Sequence, residues 1–243
     1  MSINKDQHIV IFGASSGMGE AIAKACINKG YHISICARRQ APLQKIANRK
    51  PQHCYIEQVD ATDKQQVSRF VNHAIKKFGK IDTVINCVGV MYYQRMSQCD
   101  YDEWMKMINT NIIGFLNITQ AILPPLIETQ GMFINITSDA GRQAFAGLAV
   151  YSGTKAFMEF TLKAMRYELV EKGVRVINLQ PGNVATDLHT MSSDKKAVDR
   201  YASHDSQNFL TPQDIAQSVL YVINQPRHVA INEILIEPQQ EPI

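Results

Sequence analysis

The stretch HIVIFGASSGMG, residues 8–19, constrains the fold of this chain more than any other. An apolar run of strand length passes into a turn carrying Gly13, Gly17 and Gly19, and the helical pattern GEAIAKACINKG starts within it. A strand that runs straight into a helix opens a βαβ unit, in which the next strand returns parallel to the first. Glycines at that turn let the main chain bend sharply and approach a pyrophosphate, whose charge the N–H groups of the helix N-terminus meet. A flexible surface turn is the plainer reading of the same letters, but its place between first strand and first helix favours a dinucleotide site. The spacing is GxxxGxG, not the GxGxxG of the commonest fingerprint.

The rest of the chain repeats the alternation. Strand patterns at 32–37, 53–59, 81–89, 132–138, 174–182 and 231–238 are separated by helical patterns at 41–49, 63–79, 101–123, 149–173 and 211–226. The helix over 101–123 has a joint near Asn109–Asn111, and the one over 211–226 opens with a Thr cap and Pro in its first turn. With the first strand this makes about seven, so the pattern predicts an α/β fold: a Rossmann-type doubly wound parallel sheet with helices on both faces. No linker, repeat or low-complexity segment interrupts it, so 1–243 reads as a single domain.

Composition narrows the class. Apolar residues make up 45% and charged residues 19%, as in a globular protein, and the net charge of +3 forms no basic stripe of the kind a nucleic-acid binder needs. Five cysteines are scattered, odd in number and without a CxxC pair, which predicts reduced thiols in the cytoplasm and neither a disulfide framework nor a metal site. No stretch approaches the roughly 20 consecutive apolar residues of a membrane span, and the first glycine turn arrives before a signal peptide could form. A soluble cytoplasmic protein is expected.

In open parallel sheets ligands bind beyond the carboxyl ends of the strands. After the second strand, Ala37 stands where an NAD site would carry an acid, and Arg38 and Arg39 follow; guanidinium groups suit the 2′-phosphate of NADP. Asp60, after the third strand, could accept from an adenine amino group or cap the next helix, for which Asp63 is the better candidate. After the fourth, Asn86 and Gly89 offer an amide and a place for close backbone approach; for Asn86 a structural bond to main chain is compatible with that role. Ser138 ends the fifth strand. Tyr151 and Lys155 then lie one turn apart on a helix, where the ammonium moves the phenol's pKa down from about 10 toward a working value. A serine hydroxyl at the neighbouring strand end can hold a substrate oxygen for proton transfer.

Together GASSGMG, ICARR, VDATD, NCVG, TNIIG, ITSDAG, YSGTK and PGNVAT, in this order, resemble the short-chain dehydrogenase/reductases along essentially the whole chain. The resemblance implies that Tyr151 is the general acid/base, that Lys155 lowers its pKa and binds the nicotinamide ribose, that Ser138 orients the substrate, and that Asn111 positions a water for a proton relay through Lys155. It places Gly13, Ser15, Ser16, Gly17, Met18, Gly19, Arg38, Arg39, Asp60, Ala61, Asn86, Cys87, Val88 and Gly89 on the cofactor, with Asn111, Tyr151, Lys155, Pro181, Gly182, Val184 and Thr186 near the nicotinamide. Phe12 replaces the usual threonine before the first glycine, and NCVG the more frequent NNAG; neither touches the acid/base group.

The expected activity is NADP(H)-dependent interconversion of a carbonyl and an alcohol. Selectivity is expected in a lid at about 187–210, with MYYQRM (91–96) and GRQAF (141–145). Lys195, Lys196 and Arg200 in the lid allow an anionic substrate such as a 3-hydroxy acid, and the resemblance leans to the 3-hydroxy acid and serine 3-dehydrogenase branch. Solvated charges on a mobile lid are the plainer alternative. A broad aldehyde/ketone reductase, a non-catalytic NADP-binding regulatory module and a cofactor-using isomerase or lyase compete. The family's usual dimers or tetramers predict a homo-oligomer through 101–123 and 149–173.

Overall fold

The structure, a computed structural model, describes residues 6–202 and 208–241. Seven strands, β1 (His8–Phe12), β2 (His32–Ala37), β3 (Cys54–Gln58), β4 (Thr83–Asn86), β5 (Met132–Ile136), β6 (Arg175–Pro181) and β7 (Glu233–Ile236), form one sheet in the order β3-β2-β1-β4-β5-β6-β7. Every pairing is parallel. The chain therefore builds outward from β1 in one direction, returns to lay β4 against β1, and builds outward in the other. That reversal opens a crevice at the carboxyl ends of β1 and β4.

The eight helices among the described residues are α1 (Gly17–Lys29), α2 (Gln40–Ala47), α3 (Lys64–Phe78), α4 (Tyr101–Met107), α5 (Gly114–Thr129), α6 (Ala149–Leu169), α7 (Lys195–Tyr201) and α8 (Pro212–Ile223). The inner strands β1, β2 and β5 are largely apolar and buried because both faces of the sheet are covered. Along β1, Ile9 and Ile11 pack with Ile33 and Ile35 of β2 and with Ala23 of α1 and Val219 of α8. Val10 and Phe12 point the other way, to Phe70 of α3, Phe115 of α5 and Leu162 of α6. The period-two alternation of one short strand thus serves two cores.

Local chemistry sets the helix ends. Asp63 accepts from the backbone N–H groups of Gln65 and Gln66 and starts α3, as expected of the better cap. Thr211 and Asp214 cap α8 reciprocally, with Pro212 in the first turn. The long helix is jointed as expected: α4 and α5 are joined by a π-type segment at Ile108–Ile113. It also runs further than the pattern implied, through Pro124 and Pro125 to Thr129. Proline already holds a helical φ, and the buried side chain of Leu126 keeps the last turn against the core. Gln130, at a left-handed φ of 51°, ends it. The whole rod, Tyr101–Thr129, is 29 residues long, and an 18-residue window within it has a mean hydropathy of 1.3, long and apolar enough by length and composition to cross a membrane. Its inward residues, Phe115, Ile118, Ile122 and Leu126, belong to the core under the sheet. The polar stretch before 210 carries the short helix α7 and a 3₁₀ turn at Asp187–Met191, and residues 203–207 of the expected lid lie outside the described residues.

His8, at the head of β1, is 1% exposed. Its Nδ1 faces the Lys80 carbonyl and its Nε2 lies 2.8 Å from Ser34 Oγ. A carbonyl only accepts, so Nδ1 carries the proton and Nε2 accepts from the hydroxyl. Burial drives its pKa down to about 4, against weaker opposing influences from the Lys80 carbonyl and Asp82. Between pH 6.5 and about 4 the unfolded imidazole is protonated and the folded one is not. This contribution is therefore intact above pH 6.5 and is lost as pH falls toward 4. The loss should reach about 3 kcal/mol. Urea midpoints of the wild type and His8→Gln across that range should diverge in this sense; parallel curves would remove the assignment.

Candidate active site

A cavity of about 590 Å³ opens at the carboxyl ends of β5 and β6, with Ser138 and Tyr151 on one wall and Met18, Pro181, Val184 and Thr186 among the other lining residues. Beside it, at the reversal point, lies the glycine turn. Gly13 holds a φ of +80° and has no room for a side chain, since a Cβ would lie 2.9 Å from the Cys87 carbonyl carbon and oxygen. Gly17 also has positive φ, at +55°, and faces Thr186, whose methyl would be 3.3 Å from a Cβ there. A Cβ on Gly19 would collide with the carbonyl oxygen of Gly13. Only glycine permits this close nesting.

The turn fits the pyrophosphate of a dinucleotide. Ser16 is extended at the N-cap of α1, and no side chain caps the helix's first N–H groups. Those donors have no partner within the helix itself. The Arg39 guanidinium reaches across the same turn, with Nη2 2.7 Å from Ser16 Oγ and 3.3 Å from Ser15 Oγ. Arg38 is exposed, and its described hydrogen bond uses the main-chain carbonyl, which accepts from Gln58 Nε2. The two arginines are therefore not equivalent. Asp60 Oδ1 accepts from the N–H and hydroxyl of Thr62, which shapes the turn after β3. Ala61 in that turn packs against Gly114, and Asn117 donates to its carbonyl. Asn86 joins Asn135 across β4 and β5 and accepts from the Val88 N–H, so its amide organises the Cys87–Gly89 turn.

The four residues expected to carry chemistry come together. The π-type widening turns Asn111 inward, where it is fully buried. Its Oδ1 accepts from the Val90 N–H, and its Nδ2 donates to the Val90 carbonyl and to Thr154 Oγ1. Thr154 in turn donates to the carbonyl of Tyr151. This clamp joins the loop after β4 to the first turns of α6. Gly89 passes between: a Cβ there would be 3.6 Å from both Asn111 Oδ1 and Lys155 Nζ. Lys155 Nζ donates to the Ile136 carbonyl at 3.2 Å and lies 5.6 Å from the centre of the Tyr151 ring. Ser138, at the end of β5, donates to Asp139 Oδ1 and accepts from the Ala140 N–H.

Electrostatics at this centre is dominated by loss of water. Burial raises the Tyr151 phenol well above its usual pKa; a hydrogen bond with Ser138 draws it part of the way back, and Asp139 and Tyr93 push it up again. Burial also lowers Lys155 to about 8, opposed by Cys87 and Glu159. The ammonium donates to the Ile136 carbonyl, with the Tyr151 ring centre 5.6 Å away.

Several residues of the site were not singled out from the sequence. Thr154, inside YSGTK, is the partner that fixes Asn111. Asp139 follows Ser138 directly, while Pro238 and Glu241 reach the cavity from the chain's last described turn. Both segments expected to govern selectivity line it, through Met91 and Tyr93 and through Gln143 and Phe145. The lid is pinned to the first of them: the Arg95 guanidinium donates two bonds to the Asp194 carboxylate, and Ser192 Oγ accepts from the Tyr93 N–H. Lys195, Lys196 and Arg200 are not among the described residues lining the cavity. Lys195 donates to the Ser192 carbonyl and Arg200 lies over the Tyr201 ring.

A model of the short chain dehydrogenase family matches residues 7–197. The chain is similar to glycine betaine reductase of Emericella nidulans, 41% identical over 241 residues; the match covers 96% of this chain but 19% of that protein, so the chain spans about a fifth of that relative's length. An uncharacterized oxidoreductase of Staphylococcus aureus (strain N315) is 36% identical over 242 residues, covering 98% of this chain and 100% of the other. Among solved structures, the closed form of a serine dehydrogenase complexed with NADP+ matches with a TM-score of 0.88 at 30% identity, over 98% of this chain and 97% of that one.

Replacing Asn111 with Ala removes three buried hydrogen bonds at once and strands the Val90 N–H and carbonyl. Asn111→Ala should lose about 1–3 kcal/mol in chemical denaturation, whereas a change within error would show that the clamp bears no strain.

Proposed function

The chain belongs to the short-chain dehydrogenases and is an oxidoreductase of that family, and from that premise we propose that it interconverts a carbonyl and a primary or secondary alcohol on a small substrate, with NADP(H) preferred to NAD(H). The observation that carries this reading is the meeting of Ser138 and Tyr151 on one cavity wall, beside a glycine turn with uncapped helix donors. Bound NADP(H) would supply or take up the hydride. Gly13, Ser15, Ser16, Gly17, Met18 and Gly19 would hold its pyrophosphate side, Asp60, Ala61 and the Asn86–Gly89 turn its adenosine half and central part, and Pro181, Gly182, Val184 and Thr186 its nicotinamide. Arg39, already bridging Ser15 and Ser16, and Arg38 beside it would meet the 2′-phosphate.

The chain's own residues divide the proton chemistry. Ser138 holds the substrate oxygen next to the Tyr151 phenol. Burial keeps that phenol protonated, which is the form that donates to a carbonyl oxygen as the carbon is reduced. In the opposite direction the phenolate has to be stabilised, and Lys155, one turn along α6, is the positive charge at hand. Asn111 keeps Lys155 and the loop after β4 in register, and the second lone pair of its Oδ1 is free to hold a water on the Lys155 side for a proton relay.

For the substrate, the likeness to a serine dehydrogenase supports a 3-hydroxy acid such as serine, while the largely apolar rings around the cavity would also suit a broad aldehyde or ketone reductase. Serine and glycine betaine, the compounds in the relatives' names, share a cationic nitrogen. Exposed Phe160, Tyr167 and Val170 on and after α6, with Ile113, Leu116 and Ile127 along α5, support a homodimer or homotetramer through these helices. Five free cysteines support a cytoplasmic location.

With NADPH and a panel of small aldehydes, ketones and 3-oxo acids, or NADP+ with L-serine or 3-hydroxypropionate, turnover should be seen as a change in nicotinamide absorbance. Tyr151→Phe should lower kcat by roughly 10²–10⁴ with NADPH affinity retained; undiminished turnover would sink the tyrosine mechanism, and tight NADPH binding with no turnover on any compound would mark a regulatory module. Arg39→Ala should weaken NADPH by roughly tenfold or more and NADH little; equal effects on the two would remove the 2′-phosphate assignment.

A further inference from the structure

Glu159 lies on α6 one turn beyond Lys155 and is 3% exposed, an acid inside the molecule that the chemistry described so far does not use. It sits under the turn that follows Ser138, where a Cβ on Gly141 would collide with its Oε1. That oxygen is buried and has no hydrogen-bond partner among the described residues. Three buried amide nitrogens at the carboxyl ends of β5 and β6 are in the same condition: Asn135 Nδ2, Asn178 Nδ2 and Gln180 Nε2. Asn135 and Asn178 are register partners and Gln180 follows two residues on, so all three side chains leave one face of the sheet. It is the face of Val176, which packs with Met158 and Leu162 of α6.

The other contacts of these amides fix which way they turn. Arg142 only donates, and its Nη1 meets Gln180 Oε1 at 3.2 Å. Asn86 accepts the Val88 N–H through Oδ1, so its Nδ2 is the atom that meets Asn135 Oδ1, at 2.7 Å. Asn178 Oδ1 accepts from Thr137 Oγ1 at 2.6 Å. Each oxygen is taken and each nitrogen is left over. Spare donors suit a carboxylate, whereas a protonated carboxyl would add one more donor. Gln180 and Asn178 are close enough to draw the Glu159 carboxyl's pKa down, yet neither nitrogen bonds to Oε1 directly. Polar groups so placed are joined by a buried water with two to four partners. Asn135 carries the row toward Lys155, whose Nζ donates to the carbonyl of the next residue, Ile136.

Burial raises the Glu159 pKa; Gln180, Lys163 and Asn178 oppose it, and Glu233 adds to the rise. Lys163 Nζ and Glu233 Oε1 lie 3.8 Å apart, so these two outer charges offset each other. Lys155 is the inner charge. Against burial its ammonium is supported by Cys87 and Glu159. The Cys87 thiol is itself pushed up to about 12 and is neutral near pH 7, as is the buried Tyr151 phenol. That leaves Glu159 as the negative charge acting on the lysine. Resting on the reading of Lys155 as the positive charge for the Tyr151 phenolate, we propose that Glu159 is its positioning residue, a carboxylate held with ordered water between α6, Asn178 and Gln180, whose charge keeps Lys155 an ammonium.

The full-length protein, labelled with 13C at lysine Cε, is titrated by NMR, with the Lys155 signal assigned from Lys155→Arg. Glu159→Gln should lower the lysine's titration by about one pH unit, a tenfold loss of proton affinity, and Glu159→Asp should keep most of the wild-type value. An unchanged titration in Glu159→Gln, or an equal shift in both variants, overturns the proposal. Whether or not the variants fold, a high-resolution crystal structure of the wild type should show an ordered water touching Glu159 Oε1 and either Gln180 Nε2 or Asn178 Nδ2; a dry pocket overturns the proposal as well. Neither readout needs turnover, so a lysine that responds to Glu159 in a protein that turns over no substrate would count against the oxidoreductase reading and leave the Glu159–Lys155 coupling standing.

Discussion

The reversal of strand order between β1 and β4 is the constraint on which the rest of the molecule depends. It leaves two strand ends diverging with no crossover above them, and the main chain after each is drawn into van der Waals contact. Gly13 and the Cys87 carbonyl approach so closely that any side chain at 13 would separate them. From that contact the glycine turn, the Cys87–Gly89 turn and the first turn of α1 take their positions. The Asn111 clamp then carries the same register one layer deeper, to α6 and Lys155.

Burial does most of the electrostatic tuning. Tyr151 and Lys155 are each taken out of water, and each shifts toward its neutral form, the phenol upward and the ammonium downward. A shared dry environment makes a protonated phenol beside a lysine near its titration point, a pair suited to passing a proton. On the cavity wall, Asp139 is on the strand end that also supplies Ser138, and Glu241 arrives with the chain's last described turn.

Much of this was legible in the letters. Strand-helix alternation yields the seven strands and one sheet because apolar runs and glycine stops are local signals. Gly13, Gly17, Gly19, Ser138, Tyr151 and Lys155 could be placed because each stands at a fixed offset from a strand end or within one helical turn. The joint at Asn111 was visible as a break in apolar spacing, though its clamp to Thr154 was not. Other readings stopped short of the structure. The helical pattern read to residue 123, yet the helix runs on through Pro124 and Pro125 to Thr129, with Leu126 buried. Lys195, Lys196 and Arg200 allowed an anionic substrate or simply a solvated lid, and Lys195 donates to the Ser192 carbonyl while Arg200 lies over the Tyr201 ring.

The sequence by itself determined the order of elements, the two-sided burial of the sheet and the chemical types available at each strand end, because propensity, periodicity and turn chemistry act over a few residues. Only the tertiary structure decided which of those groups share a cavity, which way Lys155 points and that burial moves the phenol upward. Those properties depend on distance and on water excluded between segments far apart in the chain, and neither quantity is written in a local pattern.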